Sequence, residues 1–101
     1  MCYVYIIESL SSAKWYYGST ENLEQRLTYH NNGWNRSTKG RGPWKYIFVR
    51  PFPGAQQARE FEIDLKKLRR NVYSQEIPDE IRILYSVLRL FTGLAKAALI
   101  A

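Results

Sequence analysis

A single cysteine, Cys2, excludes an intramolecular disulfide and a cysteine-built metal cluster in this chain of 101 residues, and suits a reducing compartment. No window holds the 18 or so consecutive apolar residues of a membrane span. The N-terminal "MCYVYIIESL" lacks a basic leader and its short apolar run ends at Glu8, so it reads as a strand rather than a signal peptide. Internal repeats, low-complexity segments and interdomain linkers are also missing. These absences predict a soluble cytoplasmic protein, and a chain of this length fits one domain that buries about 60 to 65% of its unfolded surface.

Acidic residues are the other scarcity. From Asn31 to Arg50 there is no Asp or Glu, while Arg36, Lys39, Arg41, Lys45 and Arg50 fall in that stretch, and Lys66, Lys67, Arg69 and Arg70 form a second basic run. The net charge of +6 is thus gathered in patches, which favours polyanions through counterion release, nucleic acid first and anionic membrane next. A solvated basic surface accounts for the charge alone equally simply.

What is present orders itself as β, β, α, β, α, α. Tyr3 to Ile7 is β-branched or aromatic on both parities, the pattern of a strand covered on both faces. "SLSSAK" is a turn and "WYYGS" a second strand, which predicts an antiparallel hairpin placing Tyr5 opposite Tyr16 to Gly18. Asn22 is a helix N-cap with Gln25 three residues on, and "NNG" ends that helix with Gly33 free to turn left-handed. "WNRSTKGRGP" is a basic loop, and "WKYIFVR" a third strand stopped by Pro51 and Pro53. Ala58, Phe61, Leu65 and Leu68 mark a helix from Gly54 to about Arg70. "NVYSQEIP" connects it to a terminal amphipathic helix carrying Ile81, Leu84, Tyr85, Leu88 and Phe91. The expected fold class is α+β, a three-stranded antiparallel-type sheet flanked by helices. Residues 1–75 form its main body, and residues 76–101 a C-terminal helix that packs on the same domain.

Chemistry gathers around few residues. Arg26 and His30, the only histidine, are four apart on one helix and project from one face. The guanidinium repels an imidazolium and so favours a neutral histidine able to accept a proton. On the second helix, with Phe61 at zero and about 100° per residue, Glu62 falls near the margin of the apolar face and Glu60 on the outer face. A carboxylate turned toward a core needs a cation or donors to meet it. A buried salt bridge to Arg26 or a basic neighbour serves that need, and so does a metal ion. One carboxylate suits a Mg²⁺ held otherwise by water and a substrate phosphate. A tyrosine acting as a base starts at a disadvantage, because a phenol of pKa about 10 is about one part in a thousand ionised at neutral pH. It requires nearby positive charge or a neighbour that takes the proton onward.

The ordered set "YVY" (3–5), "YYG" (16–18), the Arg26 to His30 spacing and Glu62 resembles the GIY-YIG endonuclease domain over roughly residues 2–70. The likeness is greatest to the small stand-alone bacterial members, whose loop carries a segment like "TKGRGP" (38–43). The resemblance implies that Tyr5, Tyr16, Arg26, His30 and Glu62 are the catalytic set, with Glu62 the ligand of one divalent ion, Mg²⁺ or Mn²⁺, and Gly18 the glycine of the second motif. Tyr3 and Tyr17 depart from the family pattern at scaffold positions, and Asn71 lies near the region of a late asparagine found in larger relatives. The implied activity is metal-dependent hydrolysis of phosphodiester bonds, in DNA ahead of RNA. Arg36, Lys39, Arg41, Lys45 and Lys66 would contact nucleic acid. Which of Tyr5, Tyr16 and His30 takes the proton is left open. A nucleic-acid-binding domain of the same fold with little or no cleavage is the alternative, with Trp34 or Trp44 stacking on exposed bases. The terminal helix offers a surface for a protein partner or self-association.

Overall fold

A computed structural model describes residues 1–70 and 77–100, with side chains up to residue 90. The elements in chain order are β1 (Cys2–Ser9), β2 (Trp15–Thr20), α1 (Leu23–Asn31), β3 (Trp44–Phe52), α2 (Ala55–Arg70) and α3 (Asp79–Ile100). Most of the connector expected at 71–78, Asn71 included, lies outside the described residues. The chain forms two compact units, Met1–Glu62 and Ile63–Ala101, and the boundary falls inside α2.

The sheet is antiparallel with strand order β2-β1-β3, so the hydrophobic first strand takes the centre. Both of its faces are covered, as its two-parity pattern predicts: Val4 to Ile7 are essentially inaccessible to solvent. Directly paired residues share a face. Tyr5 pairs with Gly18, and Ile7 with Tyr16 and Tyr46, on one face, while Ile6 pairs with Tyr17 and Phe48 on the other. On the first face Tyr5, Ile7 and Trp44 form a core against which Tyr16, Tyr46 and the α1 residues Leu23 and Leu27 pack. On the second, Phe61 of α2 meets Phe48 and Phe52 at ring-centroid distances of 6.1 and 5.2 Å.

Two features of β3 differ from the sequence expectation. The strand runs on through Pro51, which pairs with Tyr3. This is tolerated because β3 is an edge strand, where the missing N–H faces no partner. The second is a register shift between Ile6 and Ile7, whose partners step from Phe48 to Tyr46 and leave Ile47 as an extra residue. Such a bulge re-aims the side chains beyond it. Here it puts Tyr46 on the Tyr5 face, where the two rings meet edge to face at 5.5 Å.

The boundaries of α1 are set by the residues expected to set them. The Asn22 side chain accepts the Gln25 N–H at 3.0 Å, which satisfies one of the donors orphaned at a helix start. At the other end Gly33 takes φ +72° and its N–H donates to the His30 carbonyl at 3.1 Å, a turn that costs a side-chain-bearing residue strain. The Tyr46 hydroxyl donates to the Leu23 carbonyl at 2.5 Å and ties the first turn of α1 to β3. In the second unit Ile77 and Tyr85 are buried, whereas Ile83, Val87 and Leu90 of α3 are exposed. Among the described residues no helix is long and apolar enough to cross a membrane.

Candidate active site

The hairpin register fixes the centre of the site. Tyr5 projects from the middle strand across Gly18, and a methyl group built on Gly18 would lie 2.6 Å from the phenol Cζ and closer still to its hydroxyl. Glycine at position 18 therefore answers a need for space, since the tyrosine ring fills the volume where a Cβ would go. The ring is 1% exposed, and its hydroxyl lies 2.8 Å from Nε2 of His30, the last buried residue of α1. On its far side His30 Nδ1 is 2.9 Å from the hydroxyl of Thr38 in the loop between α1 and β3. Tyr5, His30 and Thr38 thus form one continuous buried hydrogen-bonded chain.

Aromatic rings enclose the imidazole. Tyr16 approaches it edge to face at 5.0 Å and Tyr29 at 5.7 Å. Tyr16 remains half-buried, so its edge is open to a ligand while Tyr5 is not. Tyr17 is buried on the opposite face of the sheet. The expectation that the first tyrosine of the adjacent pair faces the site, and the second the scaffold, follows from strand alternation.

Arg26 is half-buried one turn before His30, with its guanidinium 5.3 Å from the centroid of the Tyr29 ring. It lines a groove of about 840 Å³ together with Thr20, Asn22, Glu24, Gln25, Thr28, Tyr29 and Trp34, so the groove carries one carboxylate as well as the guanidinium. Trp34 is 65% exposed and meets Tyr29 edge to face. The groove offers a cation beside exposed aromatic surface.

Burial and charge set the protonation of the central pair. Burial pushes the Tyr5 phenol above its ordinary value; Arg26 opposes this, while Tyr16, Tyr46 and Glu62 add to it. Burial also lowers His30 to about 4, with Arg26 a second contribution in the same direction. Arg26, the cause of a neutral histidine that the sequence suggests, is the smaller one, and desolvation of the imidazolium is the larger. A protonated phenol and a neutral imidazole leave one ring nitrogen protonated and the other with a free lone pair, and the tautomer decides which of Tyr5 and Thr38 receives the N–H.

Glu62 closes α2 within the first unit and is half-buried, and its negative charge is felt at the Tyr5 phenol. Among the described residues no three His, Cys, Asp or Glu side chains cluster as a closed metal cage. The donor set is one carboxylate, which fits a hard divalent ion that keeps several waters and takes its other ligands from a phosphate.

A family model described as the GIY-YIG catalytic domain matches residues 1–76. The chain belongs to the GIY-YIG family. It is 42% identical over 72 residues to a UPF0213 protein of Clostridium perfringens, covering 70% of this chain and 76% of that one. It is 34% identical over 74 residues to a UPF0213 protein of Halalkalibacterium halodurans, covering 72% and 78%. The solution NMR structure of a UPF0213 protein from Bacillus halodurans superposes with a TM-score of 0.45 at 30% identity, over 86% of this chain and 85% of that one. The five residues expected from the sequence to form the site, Tyr5, Tyr16, Arg26, His30 and Glu62, all lie in the first unit.

The basic residues distribute less tightly. Arg36, Lys39 and Arg41 are exposed on the loop that carries Thr38, and Lys45 is exposed near the start of β3. Lys66 is half-buried on the part of α2 that belongs to the second unit. Two contributors were not foreseen in the sequence, Thr38 and Tyr46. Thr38 sits in the "TKGRGP" segment that carried the resemblance, a signal that marked the loop without marking the hydroxyl.

Proposed function

We propose that this GIY-YIG domain is a divalent-metal-dependent endonuclease that hydrolyses phosphodiester bonds in DNA. The observation that carries the reading is the buried Tyr5 to His30 hydrogen bond, lying within the electrostatic reach of both Arg26 and Glu62. A neutral proton acceptor and a cation beside the phenol support its part in proton transfer, against the burial and the Glu62 charge that hold it protonated at rest.

Tyr5 would pass its own proton to His30 Nε2 and orient or deprotonate the attacking water, a role that requires substrate binding to give water access to a residue only 1% exposed at rest. Tyr16, with its open edge, would position the phosphate or the water. Arg26 would neutralise charge developing on the phosphoryl oxygens from its place in the groove. Glu62 would hold the metal ion, Mg²⁺ or Mn²⁺, which supplies Lewis-acid polarisation of the phosphate when bound. The exposed Arg36, Lys39, Arg41 and Lys45 would track the nucleic-acid backbone, with Lys66 as a further contact. The terminal helix would complete the domain over residues 76–101, its exposed Ile83, Val87 and Leu90 being the surface for any protein partner.

A second reading, nucleic-acid binding with little cleavage, is favoured by one specific feature: the groove with exposed Trp34 and Tyr29 beside Arg26. Base stacking on an aromatic edge next to a cation needs no hydrolysis. Purified protein incubated with nicked, branched, single-stranded and duplex DNA in Mg²⁺ or Mn²⁺ separates the two. Cleavage that disappears in Glu62→Ala and Arg26→Ala supports the nuclease. Cleavage equal in all three proteins points to a contaminant and overturns the assignment.

A further inference from the structure

The loop between α1 and β3 reaches the core of the site through one side chain. Thr38 is 1% exposed in an otherwise exposed stretch, flanked by Ser37 and Lys39 on the surface. Its backbone is held on every side: its N–H donates to the Asn35 carbonyl at 3.3 Å, and its carbonyl accepts the Arg41 N–H at 3.2 Å. That carbonyl also accepts the indole N–H of buried Trp44 at 3.3 Å. Trp44 is fixed in turn by Asn31, whose side chain accepts the Trp44 N–H at 2.7 Å and donates to its carbonyl at 3.3 Å. The threonine is also β-branched, which restricts its χ1. A loop residue so tethered, with its hydroxyl 2.9 Å from His30 Nδ1, does more than fill space.

A neutral imidazole has one N–H and one lone pair, and the partner at one nitrogen selects what the other can do. We propose that Thr38 is a positioning residue whose hydroxyl accepts the His30 Nδ1–H, holding the imidazole in the tautomer that presents the Nε2 lone pair to the Tyr5 phenol. The geometry serves both ends of a proton transfer. Before it, Tyr5 donates to Nε2 and Nδ1–H donates to Thr38. After the Tyr5 O–H bond breaks and the Nε2–H bond forms, phenolate and imidazolium are left, both ring nitrogens are donors, and Thr38 still accepts. In the opposite tautomer Nε2 already holds a proton and can take none from Tyr5. The role of Thr38 in turnover rests on the nuclease reading above, whereas the tautomer assignment does not.

The lone histidine makes the test direct, because every imidazole signal of the folded chain belongs to His30. Long-range ¹H–¹⁵N correlation spectra of labelled protein at neutral pH report which nitrogen is protonated. Wild type and Thr38→Ser should both show Nδ1–H. In Thr38→Val, which keeps the shape and removes the acceptor, a substantial Nε2–H population should emerge, and kcat on DNA should fall by at least about tenfold with KM within about twofold. Thr38→Cys, a weak acceptor of similar size, is held to the same direction should the valine variant fail to fold. A wild-type spectrum showing Nε2–H, or a Thr38→Val or Thr38→Cys spectrum identical to wild type, overturns the assignment. Wild type that cleaves no DNA yet shows Nδ1–H would sink the nuclease reading and leave the tautomer assignment standing.

Discussion

Gly18→Ala tests the packing at the centre of the site. A Cβ at that position meets the Tyr5 ring at 2.6 Å from Cζ, a separation that real carbons do not adopt, so something must move. The ring has little freedom: it is 1% exposed, hydrogen-bonded to His30 at 2.8 Å and packed against Tyr46 at 5.5 Å. Overpacking of a tight core typically costs about 1–3 kcal/mol. Displacing the hydroxyl from His30 adds about 1 kcal/mol, while alanine regains about 0.5–1 kcal/mol of the conformational entropy that glycine loses on folding. The net expectation is a loss of about 1–3.5 kcal/mol, centred on roughly 2, read as a fall of roughly 10 °C in thermal midpoint for a chain this size. The cause is isolated by repeating the change in a Tyr5→Ala background, where the offending ring is gone and Gly18→Ala should be nearly neutral. Urea unfolding of the four proteins gives the coupling, expected at about 2 kcal/mol. Gly18→Ala costing less than about 0.5 kcal/mol in the wild-type background, or costing the same in both, would refute the steric reasoning.

Two other outcomes follow from the same groups. Because burial lowers His30 to about 4 from its ordinary 6.5, the unfolded chain binds more protons between those values. The stabilisation is therefore present above about pH 6.5 and is lost as pH falls toward 4, to the extent of about 3 kcal/mol for a group 1% exposed. Urea unfolding at pH 7 and pH 4 should show wild type losing that much more stability than His30→Gln, and an equal loss in both would count against it. On the surface, Arg36→Ala, Lys39→Ala and Arg41→Ala should each leave the thermal midpoint unchanged and reduce the salt dependence of DNA affinity by about 0.7–0.9 of a logarithmic slope. Unchanged slopes in all three would remove the loop from the interface.

The parts of the fold legible in the sequence are those governed by neighbouring residues. Asn22 caps its own helix and Gly33 ends it within a turn, so residue types alone announce both boundaries. Tyr3 to Ile7 shows its central place by lacking a polar face. Glu62 stands apart by helical arithmetic, and its half-buried position agrees with that arithmetic. The bulge at Ile47 was not legible, since it arises from how two strands accommodate each other. The bulge carries Tyr46 to the site and then to the Leu23 carbonyl. Thr38 was hidden for a similar reason. A threonine in a basic, glycine-rich loop reads as a surface residue until the loop folds back and buries it against α1.

The difference between charge and burial as the cause of the His30 shift matters for how such a pair works. Arg26 alone acts in opposite senses on the two partners, because a cation that favours phenolate at Tyr5 disfavours imidazolium at His30. Desolvation instead acts on both partners toward the uncharged pair. The resting state is therefore a neutral phenol hydrogen-bonded to a neutral imidazole, and neither partner ionises at rest. A phosphate drawn to Arg26 would offset the guanidinium charge at both partners at once, easing the imidazolium while withdrawing support from the phenolate, so burial rather than the cation sets the main opposition to proton transfer between them.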